Sequence, residues 1–186
     1  MSTNVDLPAA ESNSYLAFED GDVILRSTDG VEFRVHKYIL SISSPFFSSM
    51  FTLPQTSGET QTIEIAEDAK TLDALLRFIY PTSGLRRIEN LEEGISILFA
   101  SRKYQCDRAT TLASRDLEKI IAARGGDLDA WALATWLDIP DAIEPAKRRF
   151  LSSYQGFSMP DSLNHITAMD YAKLLKEQKE ASVVRL

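Results

Sequence analysis

The sequence predicts an α+β fold in which a small sheet is capped by many helices. Alternating apolar residues, the pattern of half-buried strands, occur in three short stretches before residue 68. Beyond the glycine pair at positions 125 and 126 the apolar spacing is helical throughout. Strands that cluster early and are followed by helices favour a segregated α+β class over a regular alternation of the two.

The composition is that of a globular protein with enough apolar residues for a sizeable core. The chain has 186 residues, of which 44% are hydrophobic, and this length suits one domain with a small appendage. Its net charge of -7 argues against general attraction to nucleic acids or anionic membranes, so we expect neither as a partner. The basic run Lys147-Arg148-Arg149 is too short to reverse that balance and is interpreted as a solvated helix face.

The cysteine content and the N-terminal residues indicate an intracellular protein. Cys106 is the only cysteine, which excludes an intrachain disulfide and favours a reducing compartment, the cytoplasm or the nucleus. The N-terminus lacks the basic start and apolar segment of a signal peptide, and no stretch is apolar over the length of a bilayer. Residues 1–18 are polar and include Pro8, so they are predicted to form a flexible arm, with order beginning at Gly21.

Residues 21–37 predict a β-hairpin with one buried face. Apolar residues alternate with others on both sides of a Thr-Asp-Gly stretch, which is a signal for a tight turn. The alternating apolar positions are Val23, Leu25, Val31, Phe33 and Val35.

Residues 36–51 read HKYILSISSPFFSSMF and are apolar enough for one buried helix, but Ser44-Pro45 stands in their middle. A proline inside a helix costs roughly 3 kcal/mol, whereas at the first helical position it costs little because that N–H has no partner. We therefore predict two short helices, the first over residues 37–42 and the second opening at Ser44, whose hydroxyl caps it. The second helix is expected to hold on one side Phe46, Phe47, Met50 and Phe51.

A third strand and a long helix are predicted next. Ile63 and Ile65 alternate with polar residues, as in a strand with one buried face. Residues 68–81 carry apolar side chains at spacings of three and four, which predicts a helix that ends before Pro81. Its inward positions are Leu72, Leu75, Leu76 and Ile79.

The later helices are predicted from their caps and their spacing. Asn90 is suited to cap a helix in which Glu93 reaches back in a capping box. The inner face of that helix is expected to comprise Leu91, Ile95, Leu98 and Phe99. Another helix is predicted from Asp107 to the glycine pair. Trp131 and Trp136 lie five residues apart in the following helical stretch, so one is expected in the core and the other on the surface.

Several of these residues form an ordered set. It comprises Asp22-Val23 at the first strand, Phe33 and His36 at the second, Leu40, Ser44-Pro45, Phe47 and Met50-Phe51 at the helical corner, and Phe78-Ile79-Tyr80 at the end of a helix. In order and spacing, from about Asp20 to about Ile121, this set resembles the BTB/POZ domain, especially its fungal members.

The resemblance implies the BTB/POZ fold, a three-stranded sheet packed on a helical cluster and followed here by extra C-terminal helices. It places the domain at residues 19–124, after the arm, and a helical extension at residues 125–186. It also implies structural roles for Asp22, Phe33, His36, Leu40, Ser44, Pro45, Phe47 and Tyr80.

The resemblance further implies a non-catalytic protein–protein interaction module, a scaffold or an adaptor. Family members self-associate, recruit cullin-type ubiquitin-ligase scaffolds or bind transcriptional corepressors. Residues 1–20 lack the amphipathic helix that dimeric members exchange, so we expect a monomer or a weak dimer. The stretch TLPQTSGETQT lacks the hydrophobic-x-Glu triplet that cullin binders commonly carry before the third strand. A substrate adaptor of a cullin-based ligase is the alternative function, and a component of a transcriptional regulator is a third.

The sequence holds few residues in patterns that are typical of catalysis or metal binding. His36 and Asp22 suggest an acid–base pair, but no nucleophile stands in an activating context and no glycine-rich phosphate loop is present. Two histidines and one cysteine do not supply a metal site, so we expect no metal. Because the catalytic and phosphate-binding patterns are missing as well, we also expect no enzyme activity and no cofactor. The candidates for partner binding are Leu53, Pro54 and Gln55, in the loop after the corner, and Trp136.

Overall fold

A computed structural model describes residues 15–52, 60–80, 87–124, 126–152 and 160–183. The chain divides into two compact units, residues 1–82 and residues 83–186. In the described part, the first unit holds a sheet and three helices, and the second unit is helical. The predicted α+β class with extra C-terminal helices is confirmed.

In the described residues the sheet has three strands, and the first strand along the chain lies between the other two. Strand β1 (Val23–Arg26) pairs antiparallel with β2 (Glu32–Val35) and parallel with β3 (Gln61–Glu64). Leu25 stands opposite Phe33 on one side and opposite Ile63 on the other. The predicted hairpin is therefore confirmed, and the third strand makes the sheet mixed.

The turn of the hairpin is also the point at which the sheet meets a helix. Gly30 has a φ of 85°, a left-handed conformation that glycine adopts without strain. One carboxylate oxygen of Asp29 accepts hydrogen bonds from the Ser27 hydroxyl at 2.6 Å and from the Ala69 backbone N–H at 2.9 Å. The hydrogen bond from Ser27 lowers the pKa of Asp29 from its ordinary value. Asp29 thus holds the turn against the first residue of the helix that follows β3.

The stretch around the proline folds as two helices in series, as predicted. Helix α1 covers Lys37–Ser43 and α2 covers Pro45–Phe51. Ser44 between them is extended, with φ -152° and ψ 115°, and its hydroxyl accepts a hydrogen bond from the Phe47 N–H at 3.1 Å. The proline occupies the first position of α2, where it removes no hydrogen bond.

The residues predicted to share one side of α2 adjoin one another but are not equally buried. The ring of Phe47 meets those of Phe46 and Phe51, with 5.4 Å and 6.3 Å between centroids. Phe47 is 1% exposed, whereas Phe46 is 38% exposed. Met50 and Phe51 are half-buried. Neighbouring positions on a helix differ by about 100°, so a seven-residue helix that turns Phe47 fully inward leaves Phe46 at the surface.

Helix α3 (Ala69–Ile79) completes the described core of the first unit. Asp68 caps it by accepting a hydrogen bond from the Thr71 N–H at 2.8 Å. The four apolar positions predicted to face inward are all buried: Leu72, Leu75, Leu76 and Ile79.

Residues 15–18, which were predicted to belong to a flexible arm, are held by contacts with the sheet and with α3. The Leu16 N–H donates to the carboxylate of Asp73 at 2.9 Å, and the Phe18 N–H donates to the Arg34 carbonyl at 2.9 Å. The ring of Tyr15 packs edge-on against Phe33, with 5.5 Å between centroids. These contacts use isolated aromatic rings and backbone donors, which have no sequence period, so the pattern of residues 15–18 did not reveal them.

The second unit is built from five α-helices and one short 3₁₀ helix in its described part. They are α4 (Leu91–Lys103), α5 (Asp107–Ala123), α6 (Asp127–Trp136), α7 (Pro140–Ser152), the 3₁₀ helix Asp161–His165 and α8 (Ala168–Val183). None of the helices in the described part of the chain combines the length and the apolar character that crossing a membrane requires.

The predicted Asn90 cap of α4 is confirmed, whereas the predicted inner face of the helix is confirmed only in part. Asn90 caps the helix by accepting from the Glu93 N–H at 2.9 Å, while the Glu93 carboxylate lies 3.5 Å from the N–H of Glu89. Leu98 is buried as predicted, but Phe99 is 43% exposed. The other buried positions are Gly94, Ile97, Ala100 and Ser101.

Close packing at Gly94 explains the rotated face of α4. A Cβ atom at this position would lie 2.5 Å from the Cδ2 atom of Leu117 on α5, which is fully buried. Only glycine therefore allows α4 to approach α5 this closely, and the approach turns the Gly94 side inward and Phe99 outward.

We expect the Ser44→Ala variant to lose about 0.5–2 kcal/mol of unfolding free energy, because the Phe47 N–H then loses its cap in a buried position. Chemical denaturation measures this loss. The neighbouring variant Ser43→Ala, at the last residue of α1, is the matched control and should stay within about 0.5 kcal/mol of the parent. Equal stability of the two variants would show that the cap does not hold the corner.

Candidate functional site

A polar network joins the end of β2 to the end of α3. The Tyr80 hydroxyl accepts a hydrogen bond from the His36 backbone N–H at 2.8 Å and lies 3.1 Å from the Nδ1 atom of the same residue. The other ring nitrogen, Nε2, lies 3.1 Å from a carboxylate oxygen of Asp20. Three segments that are distant in sequence thus meet at one imidazole.

The hydrogen-bond pattern assigns the protons of this network. Because the Tyr80 oxygen already accepts from the His36 N–H, its own hydrogen is available to the Nδ1 atom. The tautomer with its hydrogen on Nε2 fits this pattern, since that nitrogen can then donate to Asp20.

Asp22 has a different role from the one that an acid–base pair would require. Its carboxylate accepts a hydrogen bond from the Lys37 backbone N–H at 2.7 Å, at the first residue of α1. A carboxylate at this place favours the helix, because it satisfies an N–H that has no partner within the helix and opposes the positive end of the helix dipole. The acidic residue that meets the imidazole is Asp20, which the sequence reasoning did not single out.

The surroundings of Tyr80 favour a structural role over a reactive one. Burial raises the pKa of Tyr80 to about 12, so the phenol stays protonated at neutral pH. The ring of Phe18 stacks on Tyr80 with 4.6 Å between centroids and lies 5.0 Å from the His36 ring. The network therefore fastens the N-terminal segment to the first unit, and Phe18 covers one face of both rings.

The outer side of the helical corner presents exposed apolar residues. Tyr38 is 74% exposed, Ile42 is 66% exposed and Phe46 is 38% exposed. We call these three residues the corner face. Tyr38 and Ile42 are four residues apart and share one side of α1, and Phe46 lies in the first turn of α2. The inner side of the same corner is anchored by Leu40 and Phe47, which are buried.

Sequence reasoning missed the corner face, although a signal for it exists. Leu40 faces the core, and residues two positions away on a helix point about 200° from it. Tyr38 and Ile42 stand at those two positions, so both are directed to the surface. The overall apolar character of this stretch concealed the distinction between its inner and outer sides.

The second unit carries a partly exposed aromatic cluster around Trp136. Trp131 is 4% exposed and belongs to the core, while Trp136 is half-buried, which agrees with the predicted division between the two. The exposed ring of His165 stacks on Trp136 with 4.0 Å between centroids, and Phe99 meets it edge-on at 5.8 Å. Trp136 thus lies partly at the surface, with its indole partly covered by its neighbours.

The remaining candidates of the sequence analysis fall into three groups. The partner-binding candidates Leu53, Pro54 and Gln55 lie outside the described residues. Pro45 is exposed at the start of α2. The buried structural positions are Phe33, Leu40, Ser44, Phe47 and Tyr80.

Metal-ligand and thiol chemistry find little support in the described residues. Within them, no three side chains of His, Cys, Asp or Glu converge closely enough to hold a metal ion. Cys106 is buried, and its Sγ atom lies 3.5 Å from the Tyr104 carbonyl oxygen. It is placed as an ordinary core residue at the start of α5.

Comparison with known proteins adds an independent observation. The family model described as BTB/POZ domain matches residues 15–121. BTB/POZ and MATH domain-containing protein 4 of Arabidopsis thaliana is 34% identical over 137 residues, which cover 64% of this chain and 29% of that protein. Kelch-like protein 3 of Homo sapiens is 35% identical over 78 residues, 41% of this chain and 12% of that protein. The matches thus span less than a third of either relative.

We expect the stability of the protein to fall as the pH rises from about 10 to about 12, and Tyr80 to be one cause. The unfolded chain gives up the phenolic proton at the ordinary pKa of about 10, whereas the folded chain keeps it until about pH 12. The raised pKa therefore contributes stability that is fully present below pH 10 and is lost as the pH rises to about 12. Denaturation curves measured between pH 8 and pH 12 show how steeply the free energy of unfolding falls with pH.

The variant Tyr80→Phe should show a smaller loss over the same alkaline range. At neutral pH it should be less stable by about 1–3 kcal/mol, since the His36 N–H loses its acceptor. Tyr38→Phe is the matched control, because Tyr38 is exposed. Its free energy of unfolding should equal that of the parent at neutral pH and fall by the same amount over the alkaline range. If the unfolding free energy of Tyr80→Phe falls with pH as steeply as that of the parent, Tyr80 is not a cause of the alkaline loss of stability.

Proposed function

The chain belongs to the BTB/POZ domain family, and on that premise we propose that it is a non-catalytic scaffold or adaptor that binds its partner through the corner face. The family model covers more than half of the chain, and a BTB/POZ domain is a protein–protein interaction module. The relatives extend well beyond the matched region. Partner binding and the activity of the whole protein are therefore proposed here and do not follow from membership of the family.

The exposed corner face is the observation that carries this proposal. Tyr38, Ile42 and Phe46 bring two aromatic rings and one branched aliphatic side chain to the surface on two successive helices. Large apolar side chains that are grouped at a surface mark interaction sites more often than singly scattered ones do. Aromatic side chains also contribute a large share of the binding energy at protein interfaces.

The local fold keeps the corner face ready for binding. The Ser44 cap, the proline at the first position of α2 and the buried anchors Leu40 and Phe47 fix the direction of both helices. A face that is already ordered loses little conformational entropy when a partner binds. The loop residues Leu53, Pro54 and Gln55 come directly after this corner in the sequence and stay predicted contacts of the same partner.

A substrate adaptor of a cullin-based ubiquitin ligase is the second candidate. Such an adaptor needs one surface for the scaffold and another for the substrate, and helices α6, α7 and α8 lie beyond the residues matched to the family. We propose Trp136 as a contact residue of that second surface, since its indole is half-buried within an aromatic cluster. Co-precipitation of the chain with cullins from a cell extract distinguishes this adaptor from a module that binds no ligase.

Several finer properties complete the proposal. We propose a monomer or a weak dimer, because the net charge of -7 adds mild repulsion between copies. We also propose the cytoplasm or the nucleus as its location, because the one cysteine favours a reducing compartment. A closer kinship with fungal members rests on the sequence motifs alone. The function as a component of a transcriptional regulator has the weakest support, since the acidic chain offers no general attraction to DNA.

We expect the variant Ile42→Glu to lose partner binding by at least about tenfold, the effect of removing a contact worth about 1.4 kcal/mol. Ile42 is exposed, so the free energy of unfolding should stay within about 0.5 kcal/mol of the parent. Affinity capture from a cell extract, quantified by mass spectrometry, identifies the proteins that depend on this residue.

Met169→Glu is the matched control for this experiment. Met169 is 67% exposed against 66% for Ile42, and it belongs to the second unit, so both variants place the same charge at equally exposed positions. Proteins that are lost with Ile42→Glu but retained with Met169→Glu are partners of the corner face. Retention of every captured protein by Ile42→Glu would contradict the proposal. Replacement of residues 53–55 by Gly-Ser-Gly tests the loop in the same assay.

A further inference from the structure

The C-terminal end of α7 combines an exposed serine with two arginines. The sequence reads Arg148-Arg149-Phe150-Leu151-Ser152, and Ser152 is the final residue of the helix and is exposed. Its hydroxyl donates a hydrogen bond to the Arg149 carbonyl oxygen at 2.8 Å. These residues lie beyond the part of the chain that matches the family, so membership of the family assigns them no role.

We propose that Ser152 is a phosphorylation site for a serine/threonine kinase that selects basic residues before its target. Kinases discriminate among substrates by patterns of charge, and arginines at the third and fourth positions before a serine fit an acidic substrate groove. The Ser152 oxygen attacks the γ-phosphorus of ATP, the bond to the β-phosphate oxygen breaks, and ADP leaves. The hydroxyl proton passes to the base of the kinase.

The position at the end of a helix makes the site accessible by local opening. Helix ends fray, and the final carbonyl groups have no partner within the helix. Arg148 is exposed and Arg149 is half-buried, so the basic determinants are at the surface before the turn opens. Phe150 is 6% exposed and must leave the core when a kinase extends the segment. The packing of Phe150 therefore sets the rate at which the folded chain is modified.

A phosphate on Ser152 changes the contacts of Arg149. The Nε atom of Arg149 lies 3.0 Å from a carboxylate oxygen of Asp127, at the first residue of α6. Residues three and four positions before Ser152 lie on its side of the helix, so the phosphate competes with Asp127 for the guanidinium. Phosphorylation also removes the hydroxyl donor from the Arg149 carbonyl and places negative charge at the negative end of the helix dipole. The modification thus loosens the link between α7 and α6.

The test uses the full chain, magnesium ATP and a purified kinase chosen for its selection of arginine three residues before serine. We expect fragmentation mass spectrometry to locate the phosphate on Ser152, and Ser152→Ala to abolish it. Ser153→Ala is the matched control and should retain it. The double variant Arg148→Gln, Arg149→Gln should be modified more slowly by about tenfold or more, and Phe150→Ala should be modified faster than the parent.

Three outcomes would overturn the proposal. Equal phosphate incorporation into Ser152→Ala and the parent would place the modification elsewhere. If a peptide of residues 146–155 is phosphorylated but the folded chain is not, the fold withholds the serine from the kinase. If the peptide is not phosphorylated either, the kinase does not recognise the motif.

The effect on Arg149 has its own readout. The phosphorylated chain should melt lower by on the order of 2–4 °C. In the unmodified chain Asp127→Asn should lower the melting temperature, and after phosphorylation the same substitution should have a smaller effect because Arg149 has already turned to the phosphate. An equal effect of Asp127→Asn in both states would contradict the competition for Arg149.

Discussion

The hydrogen bond from the Phe47 N–H to the Ser44 hydroxyl decides the shape of the first unit. It ends one helix and starts the next within a single extended residue, in a position that is fully buried. The bend allows Leu40 and Phe47 to reach the core from two different helix directions. A straight helix over the same residues would need to accommodate Pro45 in its interior, at a cost of roughly 3 kcal/mol.

The surface proposed for partner binding follows from the same bend. Once Leu40 is directed inward, the opposite side of α1 must carry Tyr38 and Ile42, since the helical period leaves them no place in the core. The apolar content of this stretch therefore serves two purposes. Part of it stabilises the fold, and part of it forms the exposed face that we propose for partner binding.

Tyr80 has a comparable role between the end of β2 and the start of α1. Its hydroxyl satisfies the backbone of His36 after the last residue of β2, and its ring provides a stacking surface for Phe18. The network looks like catalytic machinery because it contains a carboxylate, an imidazole and a hydroxyl in sequence. Burial makes the phenol still harder to ionise than an ordinary tyrosine, however, and the arrangement is suited to holding chain segments together. Chemistry that resembles an active site is here the means by which buried polar atoms are satisfied.

The sequence by itself determined the elements that depend on local rules. The corner at Ser44-Pro45, the cap at Asn90 and the inward positions of α3 follow from proline chemistry, capping and helical period, which act within a few residues. The family resemblance rests on the order of such local motifs, which is why it was recognisable before the structure was known.

Tertiary structure alone decided the features that depend on distant residues. The exposure of Phe99 follows from the close approach of two helices at Gly94, and the order of residues 15–18 follows from Asp73, Arg34 and aromatic rings far along the chain. The pairing of Asp20 with His36 likewise requires the fold to bring two loops together. Such contacts leave no period in the sequence, because their energy comes from packing and hydrogen bonding across the folded chain and not from the preferences of neighbouring residues.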